Sequence, residues 1–293
     1  MHRVFPNLSK HFYEEQKAEI AAARRSPYYM WWMCLALSRE YWRLCQVEGK
    51  TGDPQFARVY EHFGDVFHDE FDDWWLEHGK AAFAYKIRPP VVRYLTPTDS
   101  RELSNHGHLK HSNLIVVPRH YSKSELVRQF KRLLGDYAPS ELPARFASPF
   151  EVASLRGIKR SMLKDVLRVR IVSDALQILK AKQLIAHPEK YGAAWIGRIA
   201  NISPRKSADK LRTKDTDRNE RLALRVKVAR YQLKASRLIA NAEIGVFPNI
   251  APTTENPKRW TKAQLARFAK LEAQEPFISP VVQYTQYLKL ITG

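Results

Sequence analysis

One stretch of the chain, from Thr213 to Pro248, constrains the fold more than any other. Asp217, followed three residues later by Glu220, has the spacing of a reciprocal cap at the start of a helix. Gly245 suits the left-handed position just beyond a helix end, and Pro248 cannot continue a helix. The sequence therefore predicts a helix from about residue 217 to about residue 245.

The basic residues of this predicted helix fall into two rows, because side chains three or four positions apart share a face. Lys214 falls in the same sector as Arg218, Arg221 and Arg225, and these three arginines, the predicted contacts, are called the first row. The second row, on nearly the opposite side, consists of Lys227, Arg230, Lys234 and Arg237. We expect the helix to expose cations on two sides.

The apolar residues of the same helix form two stripes. The narrow stripe consists of Leu222, Val226 and Leu233. The wide stripe, mostly opposite the second basic row, consists of Leu224, Val228, Tyr231, Leu238 and Ile239. Such a helix needs a protein core on one side.

The chain carries a large positive charge, with 49 Lys and Arg against 30 Asp and Glu, a formal net of +19. Residues 151–246 hold 22 basic and nine acidic residues, whereas residues 1–80 hold 10 basic and 13 acidic. Self-repulsion within so dense a positive field disfavours folding, and a polyanionic partner that neutralises it is the simplest explanation. The alternative is a solvated charged face whose aliphatic stems cover a core.

Nucleic acid is the polyanion that this pattern favours, with DNA ahead of RNA. A membrane surface is disfavoured, because the basic residues are not gathered on a short helix with an exposed Trp or Phe face. No run approaches the roughly 18 apolar residues of a membrane span, and the N-terminal MHRVFPNLSK has no apolar signal core. We expect a cytoplasmic DNA-binding protein that needs no cofactor.

The N-terminal part of the chain is rich in aromatic residues and net acidic. Ser26 as a cap, Pro27 in the first turn and Gly49 beyond the end predict one helix over residues 26–49, apolar on most of its circumference. Two cysteines eleven positions apart on that helix are too distant for a disulfide, so we expect both to be reduced. The acidic surface is a candidate for partner docking or self-association.

Extended structure is predicted only in the middle of the chain. VVRYL at residues 91–95 and SNLIVVP at residues 112–118 have the composition of two short strands that pair as a small sheet. Prolines in the loop over residues 136–148 and beyond it indicate a domain boundary. The prediction is a mainly α protein with a small β element, divided into an aromatic-cored helical domain over 1–140 and a basic helical domain over 149–293.

A second long helix is predicted in the basic part, over about residues 158–184. Arg160, Lys164 and Arg168 recur every four residues and form its outer row. Its buried stripe is predicted to consist of Met162, Val166, Val169, Leu176 and Leu179. The outer row adds three cations to the predicted nucleic-acid-binding surface.

Residues 193–211, AAWIGRIANISPRKSADKL, have the outline of a helix-turn-helix. In that motif the N-terminal side chains of the second helix reach the bases, so Arg205, Lys206 and Lys210 are the predicted contacts. The fit is incomplete, because a small residue stands at a second-helix position that usually holds a β-branched core residue. The alternative is an ordinary helical corner that carries phosphate-binding cations.

A competing function is a metal-dependent nuclease that uses the cluster of His106, His108 and His111. Its nearest carboxylates, Asp99 and Glu102, have no diagnostic spacing. GxxxxGK[ST], CxxC, GxSxG and GxGxxG motifs are all absent, which argues against several common enzyme and zinc-finger classes. We expect a non-enzymatic protein without a catalytic residue or bound metal. An RNA-contacting subunit of a larger nucleoprotein complex is a third alternative.

Overall fold

The structure, a computed structural model, describes residues 16–84, 122, 124, 126–128, 130, 149–150, 158–202, 214–253, 258–283 and 285–287. These residues are mostly helical, which confirms the main part of the predicted fold class. They include no strand, so the predicted small β element has no support among them. The two predicted strands themselves lie outside the described residues, as does the proposed boundary at 136–148.

The N-terminal helices are α1 (Gln16–Arg24), α2 (Pro27–Ala36), α3 (Arg39–Cys45) and α4 (Pro54–Phe63). A composite helix follows, in which α5 (Phe71–Trp74) and α6 (Lys80–Phe83) flank a π-helical turn (Trp75–Gly79). The C-terminal helices are α7 (Arg160–Ala181), α8 (Ala193–Ile199), α9 (Lys214–Glu243) and α10 (Lys262–Gln274), with a 3₁₀ turn (Pro188–Lys190) before α8.

The single helix predicted over residues 26–49 is wrong, because the chain forms two helices there. Ser26 caps α2 and Pro27 occupies its first turn, as expected. The break comes at Ser38, whose side chain accepts a hydrogen bond from the Tyr41 amide and so begins α3. A serine that bonds a nearby backbone amide favours the start of a helix over its interior.

An aromatic core joins the N-terminal helices to the end of α9. Trp31 is fully buried, its indole Nε1 donates to the Ala242 carbonyl at 3.2 Å, and its ring stacks on Phe247 at 5.3 Å between centroids. The N-terminal helices up to Phe83 and the described C-terminal helices therefore belong to one compact unit. Residues 84–148 form a separate unit of which the structure describes few residues.

The division into domains 1–140 and 149–293 stays a prediction, because its boundary is not described. In the structure, helices from before and after this predicted boundary pack against each other. Helix α2 is apolar around most of its surface, and eight of its ten residues are buried. The neighbouring short helices cover part of this apolar surface, and α9 packs against α2 and covers another part.

Helices α7, α8 and α9 pack together around a cluster of aliphatic side chains. Val169 and Leu176 of α7, Ile196 of α8, and Leu224 and Val228 of α9 are all buried in it. The wide apolar stripe predicted for α9 is thus confirmed as its buried face. The helix begins three residues earlier than predicted and is followed by a glycine with φ of +84°, as the sequence indicated.

Charged residues fix α10 against the N-terminal helices. Its start has a capping box formed by Thr261 and Gln264. Its Glu272 carboxylate accepts hydrogen bonds from the guanidinium groups of Arg39 and Arg43. Glu272 therefore neutralises part of the positive charge at this contact.

Candidate nucleic-acid interface

The outer row predicted on α7 is exposed. Arg160, Lys164 and Arg168 all present their side chains to solvent, since the intervening turns bury Leu163, Val166 and Leu167. Arg168 reaches toward the end of α8, where its Nη1 lies 3.4 Å from the Ala200 carbonyl. Three cations thus follow one line on α7, over about 12 Å at 1.5 Å per residue.

The first row predicted on α9 is exposed as well. Arg218, Arg221 and Arg225 lie in solvent, while Leu224 between them is buried against α8. The row covers about 10 Å of the helix. Since α7 and α9 pack against each other, both rows belong to the same three-helix cluster.

The cations of these two rows differ in their partners from several arginines near the N-terminal helices. Within the described part of the chain, none of the six forms an ion pair. Several arginines nearer the N-terminal helices and α10 are paired: Arg24 with Asp72, Arg39 with Glu272, and Arg259 with Glu243. Others there, Arg25, Arg58 and Arg267, donate to backbone carbonyls instead. The α7 and α9 rows therefore carry positive charge that no described carboxylate neutralises.

The second row of α9 is less available to a partner. Lys227, Lys234 and Arg237 are half-buried, and Arg230 alone of the four is exposed. The Lys234 ammonium lies 5.9 Å from the centre of the Tyr231 ring and 3.6 Å from the Met162 sulfur. The packing of α7 against α9 thus favours the first row as the contact surface.

The predicted helix-turn-helix is described only in its first half. Helix α8 forms where the sequence indicated, with Ile196 buried. Asn201 adopts a left-handed conformation, φ of +53°, and so turns the chain where a turn was predicted. Arg205, Lys206 and Lys210 lie outside the described residues, and their role stays a prediction.

Arg198 is an exposed cation that sequence reasoning missed. It lies in the last turn of α8, directly after two buried residues, Ile196 and Gly197. The close contact between Gly197 and Leu224 of α9 fixes which face of this short helix is buried. The signal in the sequence was weak, because seven residues show too little periodicity to define a face.

The competing metal site cannot be placed, because His106, His108 and His111 lie outside the described residues. Among the residues that are described, no three or more His, Cys, Asp or Glu side chains are arranged to hold a metal ion.

A polar pocket of about 310 Å³ lies near the end of α9. Its charged groups already have partners: Glu243 binds Arg259, Arg170 binds Asp174, and Glu40 accepts from the Trp260 indole. Burial raises the pKa of Glu243, which the Arg259 guanidinium opposes. These mutually paired charges hold helices together, and the unpaired rows of α7 and α9 remain the better candidate for binding a ligand.

In the described ranges, no helix has both the length and the apolar character needed to cross a lipid bilayer. Comparison with known proteins adds no identification: the chain matches no protein-family model, no curated protein and no solved structure.

Proposed function

We propose that this protein binds DNA without catalysing a reaction, and that the exposed rows of α7 and α9 contact the phosphates. The observation that carries the proposal is the set of six exposed cations with no described ion-pair partner, in a region of the chain with a strong positive excess. Phosphates are the groups that such rows neutralise most directly.

Helix geometry favours duplex DNA over RNA. The major groove of B-form DNA is about 12 Å wide and admits an α-helix, whereas the major groove of A-form RNA is too narrow. Each row is about 10 to 12 Å long, and phosphates follow one DNA strand every 3.4 Å or so along its axis. A row therefore spans about three phosphates, one for each of its cations.

The proposed contacts predict how strongly the DNA affinity depends on salt concentration. Each phosphate contact contributes a slope of about −0.9 to the plot of log affinity against log salt concentration. Six contacts give a slope of about −5, which means a loss of roughly a thousandfold in affinity between 50 and 200 mM salt. A weakly attracting charged face would show a much smaller slope.

The test is fluorescence anisotropy with a labelled DNA duplex across that salt range. Arg218→Ala, Arg221→Ala and Arg225→Ala together should weaken binding and reduce the magnitude of the slope by about 2.7, three contacts' worth. The corresponding change at Arg160, Lys164 and Arg168 should have an effect of similar size. Thermal unfolding should change little, because exposed charges contribute little to stability.

Each of two control variants removes three positive charges, as each row variant does. The first replaces Arg230, Lys234 and Arg237, three of the four residues in the second row of α9, and should reduce the slope by less than the first-row variant does. The second replaces the exposed residues Lys258, Lys262 and Lys270 in and near α10. This variant should leave the salt slope unchanged, because these lysines are not among the proposed phosphate contacts. The comparison separates the loss of specific contacts from a general loss of positive charge.

Equal losses in every variant would mean that net charge alone attracts DNA, and unchanged slopes in both row variants would refute the proposed interface. Single-stranded DNA and a structured RNA are the comparison ligands. Tighter binding to the RNA at equal salt would reassign the partner class. Cleavage of any of these ligands on addition of divalent metal, lost when His106, His108 and His111 are replaced, would establish the nuclease alternative.

Three expectations from the sequence accompany this proposal. One is a pair of short strands at 91–95 and 112–118. Another is use of the acidic N-terminal surface for docking or self-association, and Glu70, Asp73 and Glu77 are exposed there. The third is a cytoplasmic location, supported by two buried cysteines that are both free thiols.

A further inference from the structure

The face of α9 that points away from the protein is apolar. Leu222, Val226 and Leu233 are 59%, 43% and 53% exposed. They lie across the helix from Leu224 and Val228, which are buried against α7 and α8. The sequence predicted two apolar stripes on this helix, and the fold uses one of them. The other is left open to solvent.

The exposed residues follow the spacing of a helix-pairing seam. Leu222, Val226, Ala229 and Leu233 are separated by four, three and four residues, the a and d positions of a seven-residue repeat. Ser236 and Ala240 continue the spacing with small side chains. We call the residues Leu222, Val226, Ala229 and Leu233 the α9 seam. Its narrow width is typical of contact with a single helix.

Arginines border the α9 seam on both sides. In the same repeat, Arg218 and Arg225 occupy successive g positions, while Arg230 and Arg237 occupy successive e positions. None of the four forms an ion pair within the described residues, and the helix has no carboxylate from 221 to 242. In paired helices, the charges at the e and g positions determine which partner helix binds.

Neither the α9 seam of a second copy nor its described acidic N-terminal surface fits the α9 seam. Pairing the seam with itself places arginines opposite arginines in either helix direction, because g positions face e or g positions of the partner. The acidic N-terminal surface is no better. Residues 61–77 are all described, and none is an exposed large apolar side chain that could fill the seam.

We propose that the α9 seam binds an acidic amphipathic helix of a partner protein. That helix has apolar residues at its a and d positions and Glu or Asp at its e and g positions. The apolar residues cover Leu222, Val226 and Leu233, and the carboxylates pair with the four arginines. A nucleic acid cannot replace such a partner, since it has no apolar ridge that matches a seam of aliphatic side chains.

A designed peptide of about four heptads tests the proposal, with Leu at a and d and Glu at e and g. Titration calorimetry with the full-length protein should show one peptide bound per chain. Leu222→Ser, Val226→Ser and Leu233→Ser together should weaken binding at least tenfold. The substituted residues are already exposed, so the variant should keep the circular dichroism and melting temperature of the wild type.

A matched control replaces three other exposed aliphatic residues, Val246, Leu265 and Ile278, by Ser. This control variant should bind the acidic peptide as the wild type does. A second peptide with Lys in place of every Glu should not bind. Weaker binding of the acidic peptide at higher salt would further support pairing between its carboxylates and the arginines.

Four results would overturn the proposal. The acidic peptide could fail to bind, or it could bind no better than the Lys peptide. The wild-type protein could instead dimerise in sedimentation experiments and lose that dimer in the seam variant, which would make a second copy the occupant. Finally, binding to vesicles rich in phosphatidylserine without binding to the peptide would assign the seam to a membrane surface.

This inference can fail without affecting the proposed function. The seam variant keeps all six cations of the α7 and α9 rows, so its DNA affinity and salt slope should equal those of the wild type. Conversely, the variant in which Arg160, Lys164 and Arg168 are replaced should lose DNA affinity while retaining the acidic peptide.

Discussion

Among the described residues, Arg259 forms the most deeply buried ion pairs, so its loss should destabilise the protein. Its Nη1 lies 2.5 Å from a Glu243 carboxylate oxygen and its Nε lies 3.2 Å from one of Asp53. The three side chains are 15%, 6% and 3% exposed, so water does little to screen them. The guanidinium also lies 4.2 Å from the centre of the Phe56 ring. Arg259→Met keeps an apolar contact with that ring and removes the charge.

Removing one partner of a buried ion pair destabilises a protein by about 3–5 kcal/mol, because the other charge is left unpaired. Here both carboxylates have a second donor. The Ser38 hydroxyl donates to Glu243 at 2.6 Å, and the amide of Phe56, like that of Gln55 before it, donates to Asp53. We therefore expect Arg259→Met to lower the free energy of unfolding by an amount near the lower end, about 3 kcal/mol.

Urea unfolding followed by tryptophan fluorescence measures this loss. Combining Arg259→Met with Glu243→Gln should cost less than the two single changes added together, because the double variant leaves no charge on residue 243. The deficit of Arg259→Met should also shrink as the pH falls from 7 to 5. Burial raises the pKa of Glu243, and without Arg259 only the Ser38 hydrogen bond opposes this effect. The folded state then binds a proton more tightly than the unfolded state, and acid stabilises it relative to the wild type.

A loss below about 1 kcal/mol that did not vary with pH would contradict this reasoning, since it would place Arg259 and its carboxylates in water. Purely additive effects in the double variant would contradict the pairing of Arg259 with Glu243.

Three further predictions concern stability. Hydrogen bonds from Arg39, with a further contribution from Arg43, lower the pKa of Glu272. The ionised carboxylate therefore stabilises the folded protein above the ordinary glutamate pKa of about 4.3, and this stabilisation is lost as the pH falls through the lower folded value. In urea unfolding, Glu272→Gln should be less stable than the wild type at pH 7, and the difference should narrow by pH 3. Thr261→Ala removes the α10 cap and should cost about 1 kcal/mol in the same assay, and an unchanged midpoint would show that the cap is dispensable. Gly197→Ala should lower the melting temperature, because the added methyl would lie 2.6 Å from the Leu224 side chain, and overpacking of about 1–3 kcal/mol exceeds the gain of up to about 1 kcal/mol from replacing a helical glycine.

The features that could be predicted from the sequence are those fixed by residues close together in the chain. Ser26 caps α2, Pro27 lies in its first turn, and Gly245 follows the end of α9, all as predicted. The break between α2 and α3 was missed. Ser38 caps the second helix, but its hydroxyl also donates to Glu243, a residue 205 positions away that local patterns do not reveal.

For the candidate interface, helical periodicity located the rows of α7 and α9 and indicated that both are exposed. Periodicity alone could not decide which of the two apolar stripes of α9 is buried. That choice depends on where α7 and α8 pack, and their contact covers Leu224 and Val228 while leaving Leu222 in solvent. The same contact half-buries Lys234, which a helical projection places among the exposed cations.

The position of Trp31 has a consequence for the order in which the protein is made. Its indole hydrogen bond is to Ala242, 211 residues further along the chain, and its stacking partner Phe247 comes later still. At translation rates of about 5–20 residues per second, some 10–40 seconds separate the synthesis of Trp31 from that of its hydrogen-bond partner. During that interval the nascent N-terminal helices expose an aromatic surface that only the last part of the chain can cover. Chaperones that recognise exposed aromatic segments can bind the nascent chain during this interval. A chain truncated before residue 242 would leave this aromatic surface exposed permanently.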